Sequence, residues 1–263
     1  MKLTARLVNV EEVTPFERDE MFALMDDHYA NVRRSLFEAD LAEKRWVIRI
    51  NDPATGRLCG FSTQTVLSAQ VSGFEKGSDP LNLGGQTPFR NGRPVKALFS
   101  GDTIIQRDCW GDRALSHVWG RLALALIDAH PGEELYWFLI SQGYKTYRFL
   151  PVFFHEFYPR HDVPTPSWAQ AVLDALAHSR YPGQYDAASG IIRATPLQYQ
   201  LRAGLADVTS ERLRDPHVRF FNAQNPGHGR GDELCCLAPL TRENFTPAAY
   251  RVIGPEPAPV GVS

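Results

Sequence analysis

Cysteine is scarce in this chain: four residues, Cys59, Cys109, Cys235 and Cys236, among 263. None stands in the C-x-x-C spacing of a zinc or redox site, and Cys235 and Cys236 are adjacent, so on a strand they face opposite ways. These facts argue against a disulfide framework and a cysteine-bound metal, and no metal is expected. Long hydrophobic runs are missing too. No segment approaches the roughly 20 apolar residues that span a bilayer, and the start "MKLTARLVNVEEVTPFERDE" lacks a signal peptide's apolar core. The expectation is a soluble, cytoplasmic protein without a membrane span. Charge of one sign is lacking as well: 28 Lys and Arg balance 30 Asp and Glu, giving a net charge of −2 with no basic block. Nucleic acid and anionic lipid are therefore not expected partners. There is no internal repeat and no Gly-x-Ser-x-Gly nucleophile turn, and His117 has no partner at metal-ligand spacing.

What is present reads as one α/β unit. "LTARLVNV" has strand composition. Thr14-Pro15-Phe16-Glu17 then supplies an N-cap, a proline at the first helical position and a glutamate three residues after the cap. A second short helix is expected in "NVRRSLFEADLAEKR", then strands in "RWVIRIND" and "RLCGFSTQTVLSAQVS". Residues 73–94, rich in glycine and proline, lack periodicity, and loops of this length are usually functional or disordered. "VKALFSGDTIIQ" reads as a strand. It feeds a turn and a helix with apolar spacing at Leu115, Val118, Trp119, Leu122, Leu126 and Ile127, followed by the buried strand "LYWFLIS". "QGYKTYRFLPVFFHEFYPRH" is helical only if Pro151 opens or kinks the helix. Beyond it lie a helix in "TPSWAQAVLDALAHSRY", short "SGIIRAT" and late "DELCCLAPL" strands, and a helix with a proline break in "TSERLRDPHVRFFNAQ". The proline-rich tail 254–263 is expected to be mobile.

The stretch Thr103 to Gly132 carries the chemistry. A strand, a short turn and a helix leave four unpaired N–H groups at the helix start, and the macrodipole adds about half a positive charge there. Arg107 and Arg113 flank this anion site, and Gly111 lets a ligand approach the backbone. Asp108 and Asp112 oppose a phosphate unless they point away, and either one serves equally well as an ordinary helix cap. Cys109 reads either as a thiol activated by the helix dipole or as a small turn residue.

The element order resembles the GCN5-related N-acetyltransferase superfamily, whose Arg/Gln-x-x-Gly-x-Gly/Ala turn binds the pyrophosphate of acyl-coenzyme A. The matching stretch is Gln106-Arg107-Asp108-Cys109-Trp110-Gly111-Asp112-Arg113-Ala114, which keeps one glycine. The long loop and "ALFSGDTII" look more like the branch containing acyl-homoserine lactone synthases and N-acyl amino acid synthases, although Gly101-Asp102 stands near the place of that branch's arginine. The resemblance implies a mixed α/β (α+β) fold with a central mixed sheet flanked by helices over 1–161. A C-terminal helical extension over 162–253 would include a late strand that completes the sheet.

It further implies a thioester cosubstrate, acyl-coenzyme A or the acyl-phosphopantetheine of an acyl carrier protein, held by Ile105, Arg107, Cys109, Trp110, Gly111, Asp112 and Arg113. Arg90, Arg93 and Lys96, with Arg107 and Arg113, would form a basic patch steering an acidic carrier protein. Direct attack by an amine acceptor needs a base and an acid. Asp102 is the base candidate, and a strand-edge aspartate is the alternative reading. The family's usual tyrosine acid falls at Phe154, leaving Tyr147, Tyr158 and His155 as nearby substitutes. Ser141 and Gln142, at the end of the following strand, are substrate-binding candidates. Two functional readings remain open: an N-acyltransferase, or a catalytically silent binding or scaffold protein of the same fold.

Overall fold

The computed structural model describes residues 2–72, 92–195, 199–202, 204–205 and 207–255. Most of the expected loop (73–91, with Arg90) and residues 256–263 of the expected mobile tail lie outside the described residues.

From the N-terminus, β1 (Thr4–Asn9) leads into α1 (Pro15–His28). The Thr14 hydroxyl accepts from the Glu17 amide at 3.3 Å, and the Glu17 carboxylate accepts from the Thr14 amide at 2.9 Å. This reciprocal box satisfies two N–H groups that a helix start leaves open. The chain continues through the short strand β2 (Tyr29–Ala30), α2 (Arg34–Ala42), β3 (Trp46–Asn51) and β4 (Leu58–Val71). Then come β5 (Arg93–Ile105), α3 (Ala114–Ala129) and β6 (Leu135–Ser141). The aromatic stretch forms two short helices, α4 (Tyr144–Tyr147) and α5 (Phe149–Phe153). Pro151 falls in the first turn of α5, where its missing N–H leaves no helical bond unmade.

The remainder comprises α6 (Ser167–Arg180), β7 (Tyr185–Asp186), β8 (Ile191–Ile192), β9 (Gln200–Leu201), α7 (Pro216–Gln224), β10 (Glu233–Pro239) and α8 (Pro247–Ile253). Asp215 caps α7 at the His217 amide (2.9 Å), and Thr246 caps α8 at the Ala249 amide (3.1 Å). A proline sits at the start of each.

Among the described residues, eight strands form one mixed sheet in the order β1-β3-β4-β5-β6-β10-β8-β7, and β2 pairs with β9. Neighbours are antiparallel except β5 and β6, which run parallel and are joined by α3. The fold is mixed α/β, with helices on both faces of the sheet. The late strand pairs with β6, so the C-terminal segment extends the same sheet.

Alternation sorts the side chains. Leu98, Trp137, Leu139 and Cys236 face a core shared with α3 and α8, whereas Phe99, Tyr136, Phe138 and Cys235 face a core shared with α6. Cys235 and Cys236 do face opposite ways. Over β3 and β4, α1 and α2 close a third cluster around Met21, Met25, Phe37 and Phe61. Each such fully buried side chain contributes about 1.5–3 kcal/mol.

Candidate functional site

The β5–β6 ladder pairs Lys96 with Leu135 and runs to Ser100 opposite Leu139, the last paired step. Beyond it β5 continues to Ile105, and the two strands part. On the other side of β5 the register with β4 slips: Ser62 pairs with Thr103 and Gln64 with Ser100, so Thr63 alone opposes Gly101 and Asp102. This is a β-bulge, which bends the strand that carries it. The bulge also resets the alternation. Ser100 and Thr103 share one face, and Phe99 and Ile104 look toward the opposite one. Gly101 is needed here because a Cβ would lie 2.5 Å from the Thr63 hydroxyl and 2.8 Å from Lys44 Cε.

The parted strands open a cleft of about 910 Å³. One end is acidic and aromatic: Asp102, Asp40, Glu233, Tyr29, Tyr181 and Tyr199 line it. Burial, reinforced by the charge of Asp40, pushes the Asp102 carboxyl up to about 7, although Lys44 pulls the other way. Burial followed by the charges of Asp102 and Asp40 pushes Glu233 up to about 8. Lys44, its side chain almost wholly buried, is held by Asp40 at 2.6 Å. Burial raises Tyr199 to about 12 and carries Tyr29 and Tyr181 higher still, so the phenols stay neutral.

The other end lies at the turn before α3. Trp110, 44 % exposed, donates its indole N–H to the Ile105 carbonyl at 2.8 Å and carries the Lys145 ammonium 3.4 Å from its ring centroid. Burial against this ring lowers the Lys145 pKa, and the neighbouring Arg107 and Arg212 cations lower it further. Lys145, which lines the cleft, thus has two further cations near it. Asp112, one residue before the α3 N-cap, accepts from the first helical amide, Ala114, at 2.7 Å and, through its other oxygen, from the Leu3 amide at 3.2 Å. Asp108 pairs with Arg57 at 2.8 Å.

Among the sequence candidates, Asp102, Ile105, Trp110, Gly111, Asp112 and Gln142 line the cleft. Arg107 does not line the cleft but acts on Lys145, which does, and Arg113 is the residue before α3. Cys109 is buried in the turn, and burial pushes its thiol up to about 12, the opposite of activation. Ser141 is buried, with its hydroxyl donating to the Gly143 carbonyl at 2.8 Å. Tyr147 and His155 do not join the cleft. Tyr147 packs on Phe220 and Phe221 and donates to the Pro159 carbonyl at 2.9 Å, while His155 lies in a surface depression beside Arg242 and Tyr250. Tyr158 donates to Glu156, and Phe154 packs among Trp119, Trp137 and Phe245.

Among the described residues the expected basic patch is split. Arg93 pairs with Glu134 and Lys96 with Glu133 at the start of β5, whereas Arg107 follows its end, roughly 36 Å along the chain from Lys96 at about 3.3 Å per residue. Sequence reasoning missed Asp40, Lys44, Glu233 and the three tyrosines. A charged residue opening the otherwise apolar "ELCCLAP" was the one visible signal.

No family model matches the sequence, and no curated protein matches it. Solved structures similar to it include a protein from Enterococcus faecalis described as a probable N-acyltransferase (TM-score 0.38, 16 % identity, 59 % of this chain and 33 % of that one). The match thus spans a third of that protein's length. Another is a GCN5-related N-acetyltransferase from Brucella melitensis (TM-score 0.35, 14 % identity, 70 % and 86 % of the two chains). A third is AtaTR bound with AcCoA (TM-score 0.33, 12 % identity, 56 % and 82 %). Likenesses this distant bear on neither donor nor acceptor. Among the described residues no group of three or more His, Cys, Asp or Glu side chains is placed to hold a metal, and no helix is long and apolar enough to cross a membrane.

Proposed function

We propose that the chain is an N-acyltransferase that moves an acyl group from a coenzyme A thioester to an amine by direct attack in the β5–β6 cleft. The observation that carries this reading is the parting of two parallel strands beside a bulge that holds Asp102. A thioester laid between the strands places its carbonyl against the freed edge of β5, where fixed backbone N–H groups stabilise the oxyanion of attack. The coenzyme's phosphates suit the cations Lys145, Arg107 and Arg212. The acceptor amine enters from the carboxylate end. As its nitrogen bonds to the carbonyl carbon, the C–S bond breaks, Asp102 takes the proton from nitrogen, and the departing thiolate takes a proton from water. A base whose pKa lies near neutrality is matched to that task.

Thiol release from acyl-coenzyme A, followed with amines of increasing positive charge, tests the proposal. Acceptor-dependent release that is lost in Asp102→Asn is the expected result. Asp112 favours a second reading, a silent binding protein, because its carboxylate takes an α3 amide that a phosphate would otherwise use. That reading predicts neither tight coenzyme binding nor acceptor-dependent release. A carrier-protein donor is the remaining alternative, and it predicts release from acyl carrier protein in preference to coenzyme A.

A further inference from the structure

A second, narrower cavity of about 40 Å³ adjoins the wall of the cleft. Its inner surface is Trp119, Trp137, Leu139, Phe153, Phe245 and Ile253, all apolar or aromatic. Thr103, Leu115, Ser116, Thr146 and Phe149 line both this cavity and the cleft, so these side chains are the wall between the two. The hydroxyls on its floor are already engaged. Ser100 accepts from the Trp119 and Trp137 indoles at 3.2 and 3.0 Å and donates to Gln64 at 2.8 Å. Gln64 donates to Ser62 at 2.7 Å, and Ser62 meets Thr103 at 2.6 Å. A cavity whose polar floor is satisfied from within offers water few partners there and favours an apolar guest.

We propose that this cavity takes the tail of the donor's acyl group and that the preferred donor carries a short chain, longer than acetyl and well short of a fatty acyl group. The proposal rests on the thioester reading above. A tail leaving a carbonyl at the bulge has two directions open to it. Toward Asp40, Asp102 and Glu233 it would strip water from carboxylates at a cost, whereas toward Trp119 and Trp137 it buries only apolar surface. Volume sets the length. A water-sized group needs about 10–15 Å³ of such space, so the cavity holds about three to four carbons; with the carbonyl and the carbon next to it left in the cleft, the acyl group has about five to six carbons. Ile253 of α8 closes the far end against Gly120, where an added Cβ would lie 2.4 Å from Ile253 Cγ1. The C-terminal helix thereby fixes the depth.

The test is calorimetric titration of the full chain with coenzyme A and its acetyl, butanoyl, hexanoyl and dodecanoyl thioesters. Affinity is expected to rise from acetyl to hexanoyl by up to about fourfold per methylene and to fall at dodecanoyl. Ile253→Ala, which deepens the cavity, should move the optimum to a longer chain, and Ile253→Phe, which fills it, should abolish the gain of hexanoyl over acetyl. If Ile253→Ala does not fold, Ile253→Val gives the same direction with a milder loss. Equal affinity for all the thioesters, or an optimum unmoved by the Ile253 variants, would overturn the chain-length proposal while leaving thioester binding in place. Failure of coenzyme A and every thioester to bind would remove both.

Discussion

The indole N–H of Trp137 donates to the Ser100 hydroxyl at 3.0 Å, tying β6 to β5 at the last step before the strands part. Trp119 donates to the same oxygen from α3, and Ser100 passes its own proton to Gln64 on β4. One side chain therefore fixes two strands and a helix around the point where the cleft begins. Ser100→Ala leaves both indole donors without this partner, and each buried unsatisfied group costs about 1–3 kcal/mol. Urea unfolding should show a loss in that range or above it. A change below about 0.5 kcal/mol, typical of surface substitutions, would mean that the indoles are not held this way.

Gly101→Ala drives a methyl into Thr63 and Lys44. Lys44 must then shift from Asp40, and the bulge must adjust. Overpacking of this kind costs about 1–3 kcal/mol. The variant should also lose acyl transfer more than it loses coenzyme binding, because the clash lies at the acceptor end. A variant with parental turnover would show that the close approach at Gly101 has no bearing on the site.

Two half-buried carboxyls set a pH dependence of stability. Folding raises Asp102 to about 7 and Glu233 to about 8, so the folded chain holds protons that the unfolded chain has already released above the ordinary carboxylate range near pH 4. The unfolded state then binds fewer protons, and stability falls as pH rises from about 4 to about 8. Glu233→Gln should flatten the upper part of that fall in denaturant titrations across pH. An unchanged slope would place the titrating groups elsewhere.

The same Asp102 proton governs the rate. Turnover should climb with pH as the carboxyl ionises, with a midpoint near 7, and Asp102→Asn should lower it by about 10²-fold or more. Retention of the parental pH profile in Asp102→Asn would make the residue structural.

Much of the fold was legible because its signals are local. The Thr14–Glu17 box, the apolar spacing of α3 and the alternation through Cys235 and Cys236 each appear within a few residues of sequence. Asp102 was legible for the same reason, as a lone acid in an apolar strand. The acidic end of the cleft was not. Asp40 sits on an amphipathic helix and reads as solvated charge, and Glu233 joins it only because β10 pairs with β6. Tyr147 and His155 pointed elsewhere because the aromatic stretch breaks into two short helices at Arg148, which turns Tyr147 onto α7. The α8 helix drew no expectation. Its apolar face is two residues wide, and its role appears only where Ile253 meets Gly120.

The central claim, that a thioester lies between β5 and β6, is tested most directly by amide hydrogen exchange with and without butanoyl-coenzyme A. The account predicts slowed exchange concentrated in residues 101–116 and 142–149, the bulge, the turn into α3 and the start of the α4–α5 pair. Slowed exchange confined to other segments, or no change at saturating thioester, would contradict it.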